Sequence, residues 1–146
     1  MITYKDAKIY TINYNKINKA FQVLLEYEGY MICIDVKWKE NDTQEQFIER
    51  AYAGAQFYTE IMEYFTDEDI KIVNLIVYPE VKDIYNFAIT IGNNSNRKIG
   101  YIMATSSDSK DRILTKALAI KNSMMKESIE EKRKKFIFNI KQYIGG

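Results

Sequence analysis

The sequence contains no histidine and only one cysteine, Cys33. Without histidine, the chain cannot carry Ser-His-Asp or Cys-His catalysis or a histidine-ligated metal. One cysteine excludes a disulfide within the chain and a structural zinc site built on several cysteines. Carboxylate–metal chemistry, lysine chemistry or no chemistry remains, and we favour a protein that is not an enzyme and has no cofactor.

Long apolar runs and an excess of charge are also missing. No window approaches the ~18 apolar residues of a membrane span, and the first residues lack an apolar signal core. We therefore expect no membrane association and a cytoplasmic location, which suits an unpaired cysteine. The 21 basic and 20 acidic residues nearly cancel, so no nucleic-acid partner is indicated.

The 146 residues, 47% of them hydrophobic, have the size and composition of one globular domain, 1–146. Alternating apolar residues predict strands at 8–14, 21–27 and 30–38. On the first of these, Tyr10, Ile12 and Tyr14 are expected to share one face. Helical spacing then predicts a helix within 42–65, beginning at a capping box of Thr43 and Gln46.

A second series of elements follows. The β-branched run 69–78 predicts a strand covered on both faces and ended by Pro79. The runs 85–91 and 99–105 predict a hairpin, and a long helix should begin near 107–109, capped by a serine or Asp108. The fold class predicted from this order is α+β, with a mainly antiparallel sheet of about six strands and two principal helices on one face.

The two series resemble each other, because segments 8–65 and 71–132 both read strand, strand, strand, helix. One interpretation is a duplicated βββα unit followed by a C-terminal helical segment, 133–146. The other is that small antiparallel α+β domains produce this rhythm without any duplication.

The most specific catalytic pattern is Asp35-Val36-Lys37, on an apolar strand that leads into an amphipathic helix. It resembles the core of the PD-(D/E)XK nuclease superfamily. That resemblance implies a divalent metal held by Asp35, with Asp35 and Lys37 as catalytic residues. Because residues two apart on a strand share a face, these two side chains would lie on one side of the sheet.

The chemistry also needs a second carboxylate near Asp35. A hairpin turning at 28–29 places Gln22, not an acid, opposite Asp35, and Glu26 lies ~13 Å away at ~3.3 Å per residue. We therefore expect Asp35 and Lys37 to belong to the polar face of a strand, and the nuclease is the alternative.

The C-terminal segment suggests a binding surface. Phe136, Ile140, Tyr143 and Ile144 follow a charged run and recur at helical spacing. A continuous helix would be ~50 Å long at 1.5 Å per residue, longer than a domain of this size is wide. Its end should either protrude and bind a partner or fold back onto its own sheet.

We therefore predict a small non-enzymatic binding or inhibitory protein that acts through protein–protein contacts. Its partner is another protein, and we expect a homodimer. Size, composition and the lack of catalytic motifs resemble the accessory proteins of phages and mobile elements. A small-ligand or nucleotide binder with a pocket between the two halves is a second alternative to this function.

Overall fold

The computed structural model describes the backbone of residues 1–95 and 97–145, and the side chains of the same residues except 126–131, 143 and 145. These residues form one seven-stranded sheet and two helices, so the predicted α+β class is confirmed. The elements are β1 (Ile2–Tyr4), β2 (Ala7–Asn15), β3 (Ala20–Tyr27), β4 (Tyr30–Val36), α1 (Gln44–Met62), β5 (Ile70–Val81), β6 (Ile84–Asn93), β7 (Ile99–Thr105) and α2 (Lys110–Gly145).

The strands lie in the sheet in chain order, from β1 at one edge to β7 at the other. Neighbouring strands are antiparallel except β4 and β5, which are parallel and joined through α1. A helical crossover is the usual way to join two parallel strands. The order is thus β2-β3-β4-α1 followed by β5-β6-β7-α2, with β1 as an additional edge strand. Duplication of one ancestral unit stays an interpretation of this order.

Both helices lie on the same face of the sheet, which we call the covered face. On β6, Phe87 stacks on Phe57 of α1, with ring centroids 4.3 Å apart. On β7, Gly100 leaves room for Ile120 of α2, because a β-carbon at Gly100 would lie 2.6 Å from the Ile120 Cδ1 atom. The remaining face, which we call the open face, presents exposed apolar side chains from several strands: Met31, Val73, Tyr101 and Met103.

The hydrophobic core lies between the covered face and the helices. It includes Val23 and Leu25 of β3, and Ile32, Ile34 and Val36 of β4, all almost fully buried. These are the alternate residues that the period of two predicts to point inward. At the start of α1, Thr43 accepts from the Gln46 amide and the Gln46 side chain accepts from the Thr43 amide, so the capping box is confirmed.

Two strand predictions were wrong in detail. Strand β5 is covered on one face only, because both helices lie on the same side and Val73 is exposed on the other. Pro79 does not end this strand, which runs to Val81 through a shift in register after Tyr78. A proline fits there because the irregularity removes the need for a ladder hydrogen bond.

The predicted tyrosine face of β2 is also interrupted. The register shifts between Ile9 and Thr11, as at a β-bulge. The Tyr10 hydroxyl donates to Glu26, on the opposite face from Ile12, which pairs with Val23. A bulge of this kind inserts one residue and reverses the alternation beyond it.

Candidate protein-binding site

Among the described side chains of helix α2, those that pack on the domain belong to its first turns. The Ser109 hydroxyl accepts from the Arg112 amide and so satisfies one of the orphan first-turn donors, as predicted for this serine segment. Ile113, Ala117 and Met124 are buried against the sheet and α1. Beyond Met124, no described residue of α2 is buried. About 20 residues, ~30 Å of helix at 1.5 Å per residue, therefore extend past the packed part.

The extended part carries the predicted apolar stripe. Phe136 (65% exposed), Ile140 and Ile144 are exposed, and so is Ile137 beside them. The side chain of Tyr143, the fourth predicted binding residue, lies outside the described part of the chain. Residues three and four apart share one side of a helix, so Phe136, Ile140 and Ile144 form one continuous strip. We call this strip the C-terminal stripe.

The helix is continuous through the charged run. Lys132, Lys134 and Lys135 are exposed on a helix that continues through them to Gly145. The predicted ion pairs with Glu130 and Glu131 concern side chains outside the described part. Of the two arrangements considered for the C-terminal segment, the structure has the protruding one, with the C-terminal stripe facing solvent.

Asp35 and Lys37 both form hydrogen bonds with the turn between β2 and β3. The register places Gln22 opposite Asp35, as the hairpin predicts. Asp35 is buried, and its Oδ2 atom accepts a 3.0 Å hydrogen bond from the Asn18 side-chain amide. The Lys37 ammonium donates to the main-chain carbonyls of Asn18 and Lys19. Each side chain thus fixes the turn that follows β2.

The carboxylates do not gather around Asp35. Glu26 lies opposite Met31 and accepts from the Tyr10 hydroxyl. Among the described residues, no three acidic or cysteine side chains lie close enough together to share a metal ion.

A cavity does lie between the two halves of the chain. It is a partly open cleft of about 470 Å³ at the meeting point of the β3–β4 turn, the end of α1 and the start of α2. Its charged lining consists of Glu28, Glu60, Glu63 and Lys110. Three carboxylates against one ammonium group favour a cation over an anion such as a nucleotide phosphate.

A buried charge cluster centred on Arg50 was not predicted from the sequence. This side chain is fully enclosed beneath α1. It donates to both oxygens of Asp42, at 2.7 and 2.8 Å, to Glu80 at 3.0 Å, and to the Lys37 carbonyl. Its burial could have been predicted, because Arg50 lies on the same side of the helix as four apolar or small residues. These residues and Arg50 follow one another at intervals of three or four: Phe47, Gly54, Phe57 and Ile61.

No protein-family model matches the chain, and no curated protein matches it. Over its described residues, neither helix has a stretch that is both long and apolar enough to cross a bilayer.

Proposed function

We propose that this protein is not an enzyme and acts by binding another protein through the C-terminal stripe. The observation that carries the proposal is the exposure of Phe136, Ile140 and Ile144 on one side of a helix that has left its own domain. A contiguous apolar surface of this kind on a folded chain is typical of a protein–protein contact.

The energetics support the same conclusion. Burying one large apolar side chain is worth ~1.5–3 kcal/mol, so three exposed on one strip leave several kcal/mol available to a partner. The lysines before the stripe are in water already and keep their hydration when the stripe is covered. The segment therefore gains from association without burying a charge.

The partner that we propose is a second copy of the chain, related by a two-fold axis. A two-fold interface is the commonest form of self-association, and it needs one self-complementary surface only. We further propose an inhibitory role of the accessory type found in phages and mobile elements, which rests on size and composition alone. A reducing cytoplasm suits the single free Cys33.

A pair of matched phenylalanine substitutions tests the proposal. Phe136→Ser removes the first and largest side chain of the stripe, whereas Phe138→Ser makes the same change ~200° around the helix, at 3.6 residues per turn. The two side chains are 65% and 58% exposed, so neither loss disturbs the core. We expect Phe136→Ser to weaken self-association roughly tenfold or more in sedimentation equilibrium, and Phe138→Ser to change it little. Equal effects of the two changes would reject the stripe as the binding surface.

A ligand-binding function remains a second candidate, favoured by the cavity between the halves. Its volume of about 470 Å³ falls within the range of small-molecule sites. The carboxylate-rich lining suits a small organic cation. A cation that raises the melting temperature of the protein, but not that of a Glu60→Gln variant, would support this candidate.

The nuclease alternative, with Asp35 as metal ligand and Lys37 as its catalytic partner, has less support. Both side chains are already engaged with the turn at 18–19, and Gln22 faces Asp35. We expect no cleavage of DNA or RNA with Mg²⁺ or Mn²⁺. Metal-dependent cleavage that is lost on Asp35→Ala would establish the alternative.

A further inference from the structure

The edge of the sheet formed by β7 has few of the features that usually protect an edge strand. β7 is the last strand of the sheet, so within the described part of the chain one of its sides has no strand neighbour. Its seven residues include neither a charged residue nor a proline, although both are common protections of edge strands. The opposite edge, β1, is only three residues long and is followed by Lys5 and Asp6.

Two hydrogen bonds show which backbone groups of β7 point away from the sheet. The Met103 carbonyl accepts from the Lys116 ammonium at 2.8 Å, and the Thr105 amide donates to Asp108 at 2.8 Å. Both partners lie outside the sheet. Because backbone groups alternate in direction along a strand, Ile99 and Tyr101 also point their amide and carbonyl groups outward. The free stretch of the edge is therefore 99–103, and its centre is Tyr101.

Apart from Lys116, the side chains beside this edge are apolar or small. Ile99, Tyr101 and Met103 are exposed on the open face. On the other face, Ala119 and Ser123 of α2 line a shallow groove of about 400 Å³ along β7. Their small size leaves room for a second helix to approach α2, as small residues do at close helix contacts.

From these observations we propose that β7 pairs antiparallel with β7 of a second copy, about a two-fold axis that passes through Tyr101. Ile99 then faces Met103 of the other copy, and Tyr101 faces Tyr101. The Met103 carbonyl has two lone pairs and can keep Lys116 while it accepts from the partner. The proposal rests on the self-association proposed above, and it adds a second contact between the two copies besides the C-terminal stripe.

A second copy fits this edge because the edge is complementary to itself. The three outward positions 99, 101 and 103 are all large and apolar, so reversing the strand presents the same pattern. Pairing also brings the two α2 helices together along their Ala119 and Ser123 sides. The strand alone would bury less than the ~800 Å² per partner of a standard interface, and α2 supplies the remaining contact.

Cysteine cross-linking tests the register directly, in a Cys33→Ser background that removes the native thiol. A residue on the axis faces its own copy, with Cα atoms ~5.5 Å apart, whereas two copies of residue 103 would be four residues apart, ~13 Å along the strand. We expect Tyr101→Cys to form a covalent dimer with a short thiol cross-linker, and Met103→Cys to form none. Mixing Ile99→Cys with Met103→Cys should restore the cross-link.

A charge substitution supplies a second measurement that does not depend on cross-linking. Met103→Lys puts an ammonium group against an apolar side chain of the partner, so we expect self-association to weaken roughly tenfold or more. Met31→Lys is the control, because Met31 and Met103 are 57% and 59% exposed on the same open face, but Met31 lies away from the edge.

The outcomes separate this proposal from the proposed function. A dimeric mass without a cross-link at residue 101 would overturn the edge pairing and leave binding through the C-terminal stripe intact. A cross-link between two copies of residue 103 would also overturn it, because the register would be different. A monomeric mass in every sample would overturn both.

Discussion

Arg50 carries a full charge and yet has no exposed surface. Its guanidinium is compensated by Asp42 and Glu80, and Lys39 also binds Glu80. Because Arg50 lies on α1, Asp42 just before α1 and Glu80 on β5, the cluster joins the helix to the sheet. A buried arginine of this kind contributes little net stability when paired, but leaving its partners unpaired is costly.

The first prediction concerns the removal of this charge. Arg50→Met keeps an apolar stem of similar length and leaves Asp42 and Glu80 without their shared partner. We expect the free energy of unfolding to fall by about 3 kcal/mol in urea denaturation. Lys39→Met is the control: this ion pair is partly exposed, so its loss should cost less than about 1 kcal/mol. A loss below 1 kcal/mol for Arg50→Met would contradict the account of the cluster.

The second prediction concerns pH. The hydrogen bond from Arg50 lowers the pKa of Asp42. At Glu80, burial by itself would raise the pKa. The hydrogen bonds from Lys39 and Arg50 have the larger effect, so the pKa of Glu80 is lowered. Because both folded-state pKa values are lowered, this stability is present above the ordinary carboxyl pKa of ~4 and is lost as the pH falls through the lowered values.

Acid titration of the free energy of unfolding measures this effect. The wild-type protein should lose stability as the pH decreases from about 5 toward 3, and Asp42→Asn should lose less over the same interval. Parallel curves for the two proteins would show that Asp42 is not coupled to folding through its charge.

Among the elements, α1 lies close to the sheet because one of its residues is a glycine. A β-carbon at Gly54 would lie 2.4 Å from the Val77 Cγ2 atom and 2.8 Å from the Ile34 Cδ1 atom. Ala51, about one turn before Gly54, and Ala55, the next residue, are fully buried. Small residues on two successive turns therefore let the helix backbone lie close above β4 and β5.

The third prediction follows from that distance. Gly54→Ala favours the helix by ~0.8–1 kcal/mol in intrinsic propensity, but the overpacking should cost ~1–3 kcal/mol, so we expect net destabilisation. In a Val77→Ala background the same substitution should be neutral or stabilising, because the nearest clashing methyl groups are gone and the flexible end of Ile34 can move aside. A double-mutant cycle in chemical denaturation measures this coupling. A coupling energy of zero would contradict the close approach.

Some elements of the fold could be predicted from the sequence and others could not, for physical reasons. Helix α1 was predictable because its period of 3.6 and its capping box are local signals, and the bounds 99–105 of β7 were predicted without error. The faces of β5 were not predictable, because an apolar run looks the same whether one layer of helices or two covers the sheet. The bulge near Tyr10 was missed because alternation continues on both sides of it.

For the whole molecule, two helices on one face of the sheet were predicted from the sequence, but the uncovered opposite face was not. One layer of helices leaves the opposite face of the sheet apolar and open, with Met31, Tyr101 and Met103 exposed. The C-terminal stripe was partly predictable, because Phe136, Ile140 and Ile144 follow the helical period. Its exposure was not, since only the tertiary structure shows that α2 leaves the domain after Met124.

The fourth prediction, on the assembly, tests the central claim most directly. We expect light scattering of the intact chain at micromolar concentration to give twice the chain mass of 17.2 kDa. Truncation after Lys135 removes the C-terminal stripe and should give a folded protein with the mass of a single chain. A single-chain mass for the intact protein, or an unchanged dimer after truncation, would contradict binding to a second copy through this stripe.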